Sequence, residues 1–208
     1  MTLKVVARKY APILLLICIP LLAGSQCAFI FSSGDNSNDD DEKEDIIVVA
    51  SGNFGAVPVA GANYRSGSVS GVTGSSGEFE YEVDRQVQFF IGDIPLGRAV
   101  DPKAVITTLD LVDGGTVDST EVINIERLLQ SLDSEPGDNA ITIPEKVRAK
   151  AVKTNEPVSS AIAYLDFSDD DAFANSASQL VAVLTEDYPF TGELVAAETA
   201  RKALARSR

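Results

Sequence analysis

The chain has 208 residues, with 17 Lys and Arg against 31 Asp and Glu for a formal net charge of -14, and no histidine. A field of that sign repels phosphate backbones, and no basic stripe with interleaved aromatics appears, so the composition excludes nucleic acid as a partner. The lack of histidine removes the usual general base, the usual zinc ligand and every triad of the Ser/His/Asp or Cys/His kind.

The first element in chain order is an export leader. Lys4, Arg8 and Lys9 precede the apolar run 11–23, which is short for an ordinary membrane span, and the small residues Ala23, Gly24 and Ser25 follow. Three fates are open to it. The stretch Gly24, Ser25, Gln26, Cys27 resembles the lipobox of bacterial lipoproteins, which implies a diacylglyceryl group on Cys27 and cleavage just before it. Gly24 and Gln26 stand where that pattern has a branched aliphatic and a small residue. Ala23, Gly24 and Ser25 also suit a signal peptidase that would release a soluble chain starting at Gln26. The third fate keeps the whole segment, because Ala28, Phe29, Ile30 and Phe31 extend the apolar run to about 20 residues, enough for one span. Each fate exports the bulk of the chain; the first and third hold it at the cell envelope, with the membrane as partner through a lipid or an N-terminal anchor, and the second secretes it as a soluble chain.

Cys18 and Cys27 are the two cysteines, so nothing beyond the leader can form a disulfide, a thiolate metal site or a cysteine nucleophile. Residues 28–45 end in an acidic run broken by Lys43 and, past Phe31, hold no apolar residue to bury before Ile46; they read as a disordered tether. The sequence therefore divides into a signal peptide or anchor at 1–27, the tether at 28–45, and one α+β domain at 46–208.

The expected fold class is a small antiparallel, sandwich-like sheet in 46–100 followed by packed helices in 118–208. Phe79, Tyr81 and Val83 alternate with Glu78, Glu80 and Glu82, the period of a strand with one wet face. The Gly92–Asp93 pair predicts a tight hairpin turn between 88–91 and 94–100, and Pro95 predicts that the second arm is an edge. Residues 57–64 and 68–73 predict two further strands. Pro58, Gly61, Ala62, Thr73, Gly77, Phe79 and Tyr81 resemble the carboxypeptidase-regulatory-like (transthyretin-like) β-sandwich modules of exported bacterial proteins. That resemblance implies a turn at Gly77 and a core position for Phe79, and neither role is catalytic.

In the second half, Asp118 with Glu121 predicts a capped helix whose Val122, Ile125, Leu128, Leu129 and Leu132 share one face. Pro144 predicts a helix start, Asp169 begins a segment with Phe173, Ala177, Leu180, Val181 and Leu184 on one side, and 196–205 predicts a final helix rich in terminal cations. Hairpins followed by helices also look like the N-terminal module of larger proteobacterial envelope lipoproteins.

Candidate chemistry is sparse. Asp133, Glu135, Gly137, Asp138 and Asn139 resemble a degenerate calcium loop, with Asp133, Glu135, Asp138 and Asn139 as oxygen ligands, although glycine falls one place early and Pro144 stands where a closing Glu belongs. A polar turn uses the same residues. No spacing singles out a pair of carboxylates, and no phosphate-cradling glycine motif is present. The expected function is a non-catalytic binding or structural module of the envelope, without a cofactor, offering sheet edges and Gly-rich loops to an envelope protein or glycan. A carboxylate-dependent envelope hydrolase and a calcium-dependent adhesion module are the alternatives.

Overall fold

The computed structural model describes residues 4–6, 47–190 and 192–206. Cys27, the apolar run 11–23 and the tether lie outside the described residues. Among those described, no helix is long and apolar enough to cross a membrane. The fold is α+β, and among the described residues ten strands follow in the order β1 (Lys4–Val6), β2 (Ile47–Phe54), β3 (Val59–Ala60), β4 (Asn63–Ser66), β5 (Val69–Val72), β6 (Glu78–Glu82), β7 (Val87–Ile91), β8 (Ile94–Val100), β9 (Val105–Ile106) and β10 (Ile141–Thr142). The helices are α1 (Thr120–Ser131), α2 (Glu145–Lys150), α3 (Val158–Ala163), α4 (Asp170–Leu184) and α5 (Ala197–Arg206).

Two four-stranded sheets form the β half. In one, β2 pairs with β6 along one side and with β1 and β9 along the other; the second runs β5-β4-β7-β8. Strand β1 lies inside the segment read as a leader, and its backbone pairs antiparallel with Ile47–Val49. Alternation in β6 turns Phe79 and Tyr81 inward against Tyr64 of β4 and Phe89 of β7. Phe89 stacks on Phe54 of β2 with centroids 4.0 Å apart and meets Phe79 edge-on at 5.1 Å, so one aromatic cluster joins the two sheets.

Gly92 and Asp93 turn β7 into β8, and β8 is the edge that Pro95 requires. The single strand expected over 57–64 is instead two. Gly61 breaks it at φ +84, where a side chain would collide with the Ile143 carbonyl. The short β3 left behind pairs in parallel with β10. Gly77 makes its expected turn at φ +75, with the Phe54 carbonyl in the place a Cβ would take.

The helical stripes bury as patterned. Val122, Ile125, Leu128, Leu129 and Leu132 of α1 and Phe173, Ala177, Leu180, Val181 and Leu184 of α4 are all buried, most of them in one core continuous with the aromatic cluster. Helix α1 starts one residue later than Asp118 predicts, with Ser119 at the N-cap. The Asp118 carboxylate reaches Arg201 of α5 instead, at 3.6 Å. On α4 the cap is Asp169, whose carboxylate accepts from the Ala172 N–H at 3.0 Å. Helix α5 covers the other face of α1, where Ala200 and Leu204 meet Val122 and Ile123.

A buried polar network ties these helices. The Arg127 guanidinium donates to the Val195 carbonyl at 2.8 Å, to Asn124 Oδ1 at 2.9 Å and to Asp170 Oδ1 at 2.8 Å, and lies 5.1 Å from the centroid of Phe173. Ser131 Oγ accepts from the Val195 N–H at 2.8 Å. The segment leading into α5 is thus fastened to α1 by both backbone polar groups of one residue, Val195.

Candidate functional site

The loop after α1 gathers its polar atoms inward. Asp133 is 8% exposed, and its Oδ1 accepts from the Glu135 N–H at 3.1 Å and the Thr142 N–H at 2.9 Å. Asp138 Oδ1 accepts from the Ala140 N–H at 2.9 Å, while Glu135, Asp138 and Asn139 are exposed. Among the described residues no group of three or more Cys, Asp or Glu is placed to hold a metal ion. Through these bonds Asp133 and Asp138 brace the polar turn that carries the chain from α1 into β10. Tyr188 backs the turn: its hydroxyl donates to the Leu132 carbonyl at 2.7 Å. Burial, with the Asp133 charge as a lesser cause, pushes its pKa up to about 12.

The open face of the second sheet carries a trough of about 600 Å³. Cross-strand registry builds its floor from two rows, Val72, Asn63 and Phe90 in one and Ser70 and Arg65 in the next. The Arg65 guanidinium sits 5.9 Å from the Phe90 ring centroid. At one end Asn63 Oδ1 accepts from the Gly92 N–H at 3.0 Å, and Asp93 accepts from the Lys153 N–H at 2.8 Å, which fixes the hairpin turn as a wall. Planar, polar and aromatic groups in an open trough suit an extended peptide or a glycan better than a compact apolar molecule.

A second, more enclosed cavity of about 200 Å³ lies where the turn after β2, the loop after β9, α1, β10 and α5 meet. Glu126 on its wall is 8% exposed; it accepts from Gln130 Nε2 at 2.9 Å and from Thr108 Oγ1 at 3.3 Å. Burial raises its pKa, and the two hydrogen bonds offset that only in part. Among the described residues no other titratable side chain lines the cavity.

A carboxyl whose pKa folding raises lowers folding stability as pH climbs from the unfolded group's value of 4.5 through the raised folded one, and the loss is constant above it. Glu126→Gln removes that loss. The variant is expected to gain stability relative to the parent as pH rises above the unfolded value of 4.5. Urea midpoints measured below and well above that pH check this, and an unchanged difference would show that folding does not raise the Glu126 pKa.

Glu121, Lys153 and Asp166 are among the residues that line a shallow depression of about 360 Å³. Asp166 Oδ1 accepts from the Ser168 hydroxyl at 2.7 Å and from its N–H at 2.9 Å, and these bonds lower its pKa. A carboxyl so held serves its turn and is poorly suited to donate a proton as a general acid.

No family model matches the chain, and no solved structure matches it. Among curated proteins it is 31% identical over 90 residues to one named "Putative lipoprotein YghJ" from Escherichia coli O78:H11 (strain H10407 / ETEC), and equally to "Putative lipoprotein AcfD homolog" from Escherichia coli (strain K12). Those residues are 43% of this chain and 6% of each relative, so the similarity spans a small part of much longer proteins.

Proposed function

We propose that the chain is an exported envelope protein, held to the membrane by lipid on Cys27 and displaying a non-catalytic binding domain. The observation that carries this reading is the 31% identity to two proteins named as lipoproteins, combined with a basic, apolar leader that ends in a lipobox-like Cys27. The tether sets the reach of the domain from the bilayer, and the acidic surface keeps it soluble. Its contact surface is the trough floored by Arg65 and Phe90, which takes an envelope peptide or glycan. Two facing sheets, the Gly77 turn and the inward Phe79 and Tyr81 support the transthyretin-like reading of the β half. Processing before Cys27 removes β1 and opens the Ile47–Val49 edge of β2.

A Cys27→Ala variant expressed in a Gram-negative host tests the anchor. The parent is expected in the detergent-extracted membrane fraction, and the variant in the soluble exported fraction, with at least about tenfold less at the membrane. A variant that stays fully membrane-bound would show that the apolar segment, rather than lipid, holds the protein.

A further inference from the structure

We propose that the cavity walled by Thr108, Glu126 and Ala203 is a binding site for a primary ammonium carried on a short aliphatic chain. The inference is independent of what anchors the chain and of the open trough.

Size limits the ligand first. A cavity of about 200 Å³ is below the roughly 300 Å³ at which drug-sized ligands begin, and it equals about seven waters at ~30 Å³ each. An aliphatic chain of a few carbons with one polar end fits that space. The lining sets the polarity of each part: Ala56, Val57, Val59, Leu109 and Ile141 supply apolar wall, while Thr108 and Glu126, hydrogen-bonded to each other, form the polar end.

Charge selects the polar group. Among the described residues the single ionisable side chain on the wall is acidic, and no Lys or Arg lines the cavity. Among the described residues Glu126 makes no ion pair; its partners are the Gln130 amide and the Thr108 hydroxyl, one on each oxygen. Two carboxylate oxygens together offer about four acceptor sites, so about two remain for a ligand. A primary ammonium has three donors in a compact group, which matches the free carboxylate sites and the Thr108 oxygen. A ligand anion would meet the carboxylate unfavourably, and a neutral alcohol would supply no countercharge to the ionised form, which an ammonium at hydrogen-bond distance favours.

The chemistry is shared by free alkylamines and by a lysyl side chain of a peptide, and two probes separate these sources. Isothermal titration of the full chain at physiological ionic strength would use n-butylammonium, its neutral counterpart n-butanol, and Nα-acetyl-lysine methylamide. Binding of n-butylammonium with no detectable binding of n-butanol is the expected result. Affinity should fall about tenfold or more in Glu126→Gln and in Ala203→Leu. Ala203 is half-buried on α5, so its enlargement narrows the cavity without disturbing the main core, and it decides the matter if the Glu126 variant does not fold. Comparable binding of the lysine derivative assigns the site to a peptide, and its absence beside n-butylammonium binding assigns it to small amines; both uphold the site. Equal binding of alcohol and amine, no binding of either amine, or amine binding that survives Ala203→Leu would overturn it.

Discussion

Replacing Phe89 by alanine is expected to destabilise the domain by about 3–5 kcal/mol, the range for deleting a fully buried aromatic ring. Phe89 is 0% exposed and touches both sheets at once, stacked on Phe54 and edge-on to Phe79. Its loss leaves a cavity that strands cannot close without shifting their register, because hydrogen bonding fixes β7 to β4 on one side and β8 on the other. Typical domains are stable by roughly 5–15 kcal/mol, so this one change removes a large share. The chain lacks tryptophan, and urea unfolding followed by far-UV circular dichroism is the suitable measure. Phe89→Leu, which keeps most of the volume, should cost clearly less. A Phe89→Ala midpoint equal to that of the parent would mean that the two sheets are not joined through this ring.

The second large effect is expected at Arg127. Alanine there strands the Asn124 and Val195 oxygens without their donor and removes the cation from Phe173, at a cost of about 3 kcal/mol. Asp170 should contribute little by itself: its side chain is 60% exposed, so Asp170→Asn is expected to cost under about 1 kcal/mol. Lysine at position 127 cannot restore the arrangement, because a point charge cannot serve three differently directed acceptors as a planar guanidinium does. Hydrogen exchange locates the damage. Protection should fall in α5 and in the segment that Val195 fastens, while β7 and β8 keep theirs; uniform loss would place the weakness elsewhere.

Local signals carried most of the fold into the sequence. The Gly92–Asp93 turn, the Phe79–Tyr81 alternation and the stripes of α1 and α4 each depend on residues within one or two turns or strands, and each is found where its pattern puts it. What escaped depends on distant partners. Strands β9 and β10 are two residues long and exist through pairing with β2 and β3, which no local pattern encodes. The six-residue α3 is too short to show a full apolar period. Asp118 looked like a cap because Glu121 completes the capping-box spacing, but Ser119 lies one residue nearer the first turn and Arg201 draws Asp118 away.

The candidate sites were less legible. Asp133 belongs to an oxygen-rich loop, yet the sequence does not reveal that backbone N–H groups of Glu135 and Thr142 occupy its carboxylate. Glu126 carried a weak signal, since it stands four residues after Val122 and three before Leu129 on the border of the α1 stripe. Its cavity could not be read, because Thr108, Ile141 and Ala203 arrive from three distant parts of the chain.

The lipid-anchored display of this domain is tested most directly by the intact mass and N-terminal peptide of the protein taken from the membrane fraction of its native host. The expected species begins at Cys27 and carries a diacylglyceryl group. An unmodified chain beginning at Gln26, or one that retains its full N-terminus, would contradict the lipid anchor.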